Sequence, residues 1–381
     1  MVTRSSLRLF ILYIILGIEA ISVLAQKRGL SKLNAIDVCW RHNPKWREQR
    51  EQLARCSVGF AGKMTNNIGI GTTTYVVTDP SDDPLKPKPG TLRYGVTMIP
   101  GKVWITFQKD MDIKLEKTLV VGSFTTIDGR GASVHIAKGG CLLLHKVTDV
   151  IIHSLRIHHC RAQPASTVMG PGAQLMQLSE MDGDAIRLLA STKVWIDHNT
   201  LYRCEDGLID VTLGSTNVTI SNNWFRDHDK VMLLGHDDDF QDDKNMKVTV
   251  VYNRFGPNCH QRMPRVRHGY AHVVNNLYLG WELYAIGGSM NPSIKSQSNL
   301  FVAPTKNKEI TREINKENGK GYNFRSVGDV LENGASFNDT GSGYVKPNYT
   351  SEQVFAVEDA RVVRPLTRSA GALRCKPASL C

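Results

Sequence analysis

The chain has 381 residues, enough for one large domain with a sizeable core or for two modest ones. Its formal charge of +11 suits acidic partners such as anionic polysaccharides or membrane surfaces. No RNA- or DNA-binding motif accompanies that charge, so nucleic acid is not an expected partner.

Residues 1–25 read as a signal peptide. Arg4 and Arg8 supply the charged start, Leu9–Ile18 the apolar stretch, and "VLA" before Gln26 a cleavage site. The apolar run is only about ten residues long, too short to span a bilayer comfortably. No later stretch is long enough either, so the expected mature chain is secreted and leaves the membrane after cleavage. Export permits disulfides. Nearest-neighbour pairing of the eight cysteines suggests Cys39–Cys56, Cys141–Cys160 and Cys375–Cys381, although spacing alone cannot fix connectivity. Cys204 and Cys259 are left as free thiols or a fourth bridge. No CxxC pair supports a zinc site. Asn217, Asn338 and Asn348 head sequons and are glycosylation candidates.

Residues 26–69 form an extension with a capping helix, which Pro44 opens and which runs towards Cys56, with Trp46 and Leu53 available for burial. From 70 to 303 short β-branched runs such as "VIIHSLRI", "KVWIDH" and "VTVVYNRF" recur between Gly, Asp and Asn, which predicts an all-β core. Several runs end in asparagine, at Asn199, Asn223, Asn253, Asn276 and Asn299, separated by 24, 30, 23 and 23 residues. Ser154 stands 45 residues before Asn199, two periods on this reading. Such spacing favours a parallel β-helix, with asparagines bonding from coil to coil, over a sandwich with Asn-rich turns. Residues 304–381 supply a C-terminal irregular and helical cover, with a short helical pattern in "SEQVFAVEDA".

Two acidic motifs lie in the repeat region: "MDGDAIRL" with Asp182 and Asp184, and "CEDGLIDV" with Asp206 and Asp210. In an extended strand, residues two or four apart share a face. Asp182 and Asp206 are 24 residues apart, and Lys230 lies 24 further on, which predicts a ladder up one outer face. Clustered carboxylates repel unless a cation sits between them, and an all-oxygen set favours calcium. The run "HDDDFQDDKN" reads as a solvated loop. His153, His158, His159, His198 and His228 read as turn or core residues.

"TIDGRGASVHI", "WIDHNTLYRCEDGLIDVTLGSTNVTISNNWF", "DHDKVMLLGH" and "QRMPRVRHGYAHVVNN" closely resemble the plant pectate lyases, a family that includes pollen allergens. The likeness runs from about residue 34 to the C-terminus. It implies a right-handed parallel β-helix acting in the cell wall as a monomer. The implied activity is Ca²⁺-dependent β-elimination of de-esterified homogalacturonan. By motif, Asp184, Asp206 and Asp210 match the family's calcium ligands, and Asp182 a position that assists them. Lys230 matches a substrate-binding lysine, Arg262 the catalytic base, and Arg267 an arginine gripping a substrate carboxylate. Val266 stands where plant relatives often carry Cys, and "GHDDDF" is more acidic than usual. Arg265 receives no role.

Arg262 and Arg267 are five apart, so a straight strand would turn them to opposite faces, and Pro264 is the expected break. A free guanidinium is a poor base, so a solvent-derived base with Arg262 as electrostatic stabiliser is the alternative. A β-helical glycoside hydrolase, a pectin lyase and a non-catalytic wall-binding protein are the rival functions.

Overall fold

A computed structural model describes residues 33–314, 322–341, 345–375 and 380–381. The signal peptide read at 1–25 lies outside the described residues. The chain divides at Asn34, and the unit described below is Asn34–Cys381.

Three parallel sheets of ten, nine and eight strands share the unit, and the chain visits them in rotation. One coil runs Thr192–Asp197, Thr200–Tyr202, Ile209–Thr212, and the next begins at Thr216–Ser221. This is a right-handed parallel β-helix, the hand that right-twisted strands favour in parallel crossovers. Successive coils stack in register, so alternate residues turn inward and meet their own kind. Ile152, Ile196, Ile220 and Val250 form one such column, and the rings of Phe225, Phe255, Tyr278 and Phe301 stack at 5.0, 4.7 and 4.4 Å in another. The coils continue beyond residue 303, because Thr311–Glu313, Asn323–Val327 and Val330–Glu332 join the three sheets.

The bend between the ten- and nine-stranded sheets is built the same way each time. A left-handed residue turns the chain (His198, Asn222, Tyr252, Asn275, Ser298), and the next residue is a buried asparagine. Each asparagine Oδ1 accepts the N–H of the preceding coil: Asn199 from Leu155, then Asn223, Asn253, Asn276 and Asn299 in turn, at 2.8–2.9 Å. The last rung is Asp329, which accepts from the N–H of Asn299 at 2.7 Å. Ser154 is a turning residue, not a rung, and its coil lies directly beside that of Asn199. The 45-residue gap is therefore one coil, lengthened by the hairpin Ser166–Gly170 and Gln174–Leu178.

The termini differ from expectation in detail. The helix of the extension is Ala35–Arg41, ahead of Pro44, with Asn34 accepting the N–H groups of Ile36 and Asp37 at its start. After Pro44 the chain makes turns and a 3₁₀ segment at Arg50–Arg55, because the Cys39–Cys56 bridge folds it back on the helix. Trp46 and Leu53 are buried beside Trp104 and Trp195 on the outer face of the ten-stranded sheet. Asp128 pins this cover, bonded by Arg130 and by Arg50 at 2.8 Å, while His198 bonds Asp37 at 2.8 Å. The mouth of the first coils is closed by a second helix, Leu92–Thr97, whose Leu92 and Val96 enter the main core. "SEQVFAVEDA" forms no helix; the C-terminal helical turn is Val363–Leu366. Bridges join Cys141–Cys160 and Cys375–Cys381 as well, and Cys204 and Cys259 are free. Among the described residues no helix is long and apolar enough to cross a membrane.

Removing one rung should be costly, since each buried group left unpaired costs about 1–3 kcal/mol. Asn253→Ala strands the N–H of Asn223 and the carbonyl of Ile220. Chemical denaturation is expected to show a loss of at least about 2 kcal/mol.

Candidate functional site

The eight-stranded sheet presents its outward residues as a floor. In Ile186–Leu189 the inward positions are Ile186 and Leu188, so Arg187 faces out. In register beside it come Asp210, Leu233, Arg265 and Gly287. The floor thus carries one carboxylate, Asp210, between the guanidinium groups of Arg187 and Arg265.

Asp182, Asp184 and Asp206 are not strand residues. They lie on the loops that enter Ile186–Leu189 and Ile209–Thr212, so a shared strand face is not what gathers them. Stacking of the two coils brings the loops together instead. One carboxylate oxygen from each of the three lies within 4.8 Å of the others. Asp210 joins from the floor. A Cβ on Gly207 would sit 2.7 Å from Asp210 Oδ1 and 2.8 Å from Asp184 Oδ1, so glycine leaves room for both carboxylates. The N–H of Gly207 donates to Asp184 Oδ1 at 2.7 Å, while the buried Oδ2 has no hydrogen-bond partner. An oxygen without a hydrogen bond, on a residue only 7% exposed within a carboxylate cluster, fits a hard cation.

Burial first, and then Asp210 and Asp182, push the Asp184 carboxyl far above the ordinary range. Burial and Asp206 do the same to Asp210, against the pull of Arg187. Cationic residues surround the set. Lys230 donates to Asp206 Oδ1 at 2.7 Å, and Arg187 to Asp182 Oδ1 at 2.8 Å. His228, whose pKa burial lowers, donates from Nε2 to the Asp206 carbonyl at 2.6 Å.

Arg262 has a left-handed backbone, with φ 60°, between strands Cys259–Gln261 and Arg265–Arg267. It shares no strand with Arg267, so the parity conflict does not arise. Its carbonyl accepts the N–H of Met232, and its charge reaches Asp210. Tyr284 lies against Arg265, Arg262 and Arg312; burial raises its phenol and the three arginines oppose the rise. Arg267 is held by the acidic loop: Nε donates to Asp238 at 3.2 Å and a terminal nitrogen to the His236 carbonyl at 2.7 Å. The acidic loop is therefore not simply solvated. Asp238 anchors Arg267, and the fully buried Asp243 accepts the N–H groups of Gly214 and His236. Val266 is a core residue. Of the sequons, Asn338 and Asn348 are exposed and Asn217 is half-buried.

Arg187, Gly207 and Tyr284 have no role in the reading of the sequence, and His228, read there as a turn or core residue, bonds the backbone of Asp206. Only Gly207 carried a local signal, as the small residue between two acidic positions.

A parallel β-helix with a carboxylate cluster beside arginines and lysine on one outer face offers a surface suited to an acidic ligand. Known proteins specify it further. The profile of the pectate lyase family matches residues 49–371. Probable pectate lyase 4 of Arabidopsis thaliana is 50% identical over 92% of this chain and 91% of its own length. The pectate lyase of Zinnia elegans is 46% identical over 94% of this chain and 91% of its own. The crystal structure of jun a 1, the major allergen from cedar pollen, superposes with a TM-score of 0.85 at 47% identity, covering 89% of this chain and 99% of that one. The chain belongs to the pectate lyase family and is an enzyme of that class.

A carboxyl with a raised pKa in the folded state favours folding only while protonated. Its contribution is present below the ordinary value, near 3.8, and is lost as pH climbs through the raised one. Chelator-treated protein should therefore lose stability towards alkaline pH, and Asp184→Asn should lose less. The expected thermal-unfolding result is a gap in favour of the variant that widens between about pH 5 and about pH 9. A gap independent of pH would contradict it.

Proposed function

We propose that this chain is a secreted, calcium-dependent pectate lyase that cleaves de-esterified homogalacturonan by β-elimination, giving 4,5-unsaturated oligogalacturonides. The observation that carries the reading is the clustering of the Asp182, Asp184 and Asp206 carboxylates, with a buried Asp184 oxygen that has no hydrogen bond and with Lys230 bonded to Asp206. Asp184, Asp206 and Asp210 would hold the ion, with Asp182 assisting. When bound, calcium neutralises the substrate carboxylate and favours the developing enolate-like anion.

The chain's own residues do the rest. Lys230, at the end of the short strand His228–Lys230, orients the sugar acid. Arg267 offers its remaining amino group to a neighbouring carboxylate, since Asp238 and His236 hold the others. Arg262, in its neutral form, accepts the C5 proton; the released pair forms the C4–C5 double bond and the C4 oxygen departs. A free guanidinium with a pKa of about 12.5 is neutral less than roughly once in 10⁴ at pH 8, so the rate should rise towards alkaline pH. Secretion is supported by the N-terminal sequence, three disulfides and the exposed sequons at Asn338 and Asn348.

Polygalacturonate assays test this. Ultraviolet absorbance from the unsaturated product should appear, vanish with chelator and return with calcium. Arg262→Lys should lower kcat by about 10²-fold or more, and Asp206→Asn should raise the calcium needed. Full activity in both variants would sink the site assignment. Product without a double bond would indicate a hydrolase, chelator-resistant cleavage of esterified pectin a pectin lyase, and binding without cleavage a non-catalytic protein.

A further inference from the structure

Arg187 stands inside the carboxylate cluster. Its terminal nitrogen donates to Asp182 Oδ1 at 2.8 Å, its Nε lies 3.9 Å from Asp184 Oδ2, and its strand neighbour in register is Asp210. One guanidinium thus addresses three of the four carboxylates assigned to the metal. The strand dictates this placement, because Ile186 and Leu188 take the inward positions. The contact with Asp184 is an attraction of charges without a hydrogen bond: both Nε of Arg187 and Oδ2 of Asp184 are buried and unpartnered. The side chain is 21% exposed, so a route to solvent is open.

We propose that Arg187 is a tethered counter-cation that competes with calcium for Asp182 and Asp184 and thereby sets the calcium affinity of the site. This rests on the calcium reading above. Without the ion, the guanidinium offsets the mutual repulsion of the carboxylates. A divalent ion at the same oxygens repels it at short range. Arg187 must then release Asp184, and its long stem lets the head swing outward while the stem stays packed. Part of the binding energy of the ion is spent on displacing this residue, so the site answers to calcium at a higher concentration than its carboxylates alone would.

Calcium titration calorimetry on the purified, chelator-stripped protein tests this without any turnover. Arg187→Met removes the charge and keeps the stem; Arg187→Gln is a second neutral replacement if the first fails to fold. Arg187→Lys keeps the charge, and Asp184→Asn supplies the blank. The neutral variants are expected to bind calcium about tenfold more tightly than wild type, with the lysine variant within about threefold of it. Calcium should also raise the thermal midpoint of the neutral variants more than that of wild type. Equal or weaker binding by the neutral variants overturns the competitor role while leaving the metal site standing. Wild type indistinguishable from the Asp184→Asn blank overturns the calcium reading and the inference together.

Discussion

In-register stacking of parallel coils is the constraint on which the rest of the molecule depends. Strands about 4.8 Å apart force each residue to meet its counterpart one coil away. A column must therefore be apolar throughout or polar with every group bonded. The asparagine row meets the second condition at a buried bend, where each side chain accepts the N–H of the asparagine or leucine one coil before it. With that bend held constant, the loops entering the eight-stranded sheet are free to vary in length. Asp182, Asp184, Asp206 and Arg262 come from those variable entries, within reach of one another and of Asp210 on the sheet because the coils beneath them cannot shift.

The same constraint explains which features were legible in sequence. Asparagine at nearly constant spacing marks the bend because one residue type performs one task in every coil. The acidic pairs stand out for a comparable reason, yet a shared strand face does not gather them: three of the four carboxylates sit on loops. Residue counts along the chain measure position poorly where a hairpin is inserted, as between Ser154 and Asn199. Asp243 looked like part of a solvated run because its burial depends on backbone N–H groups from Gly214 and His236, one of them a coil away. Arg187 and Tyr284 had no signature at all. An arginine between isoleucine and leucine reads as an ordinary outward strand residue until Asp210 is seen beside it.

Electrostatically, the active face is a junction between unlike fields. Carboxylates concentrate on two coils and guanidinium groups on the next ones, while the chain as a whole is basic. An acidic polymer is drawn to the protein generally but repelled at the carboxylates unless a cation intervenes. Arginines held by Asp238 and faced by Tyr284 are fixed in place before any ligand arrives, which reduces the ordering cost of binding.

Asp329 gives the asparagine row a direction. Each amide nitrogen from Asn199 to Asn276 donates to the side-chain oxygen of the next rung, and Asn299 donates to Asp329. Aligned in this way, the amide dipoles add, with their positive ends pointing towards the C-terminus. At that end stands a residue that accepts from Asn299 twice and from the hydroxyls of Ser296 and Ser326. An asparagine there would have to turn an amino group towards some of these donors, whereas a carboxyl group offers two accepting oxygens. The row behaves like a wire of polarised bonds that needs a sink, and the single change from amide to acid supplies it.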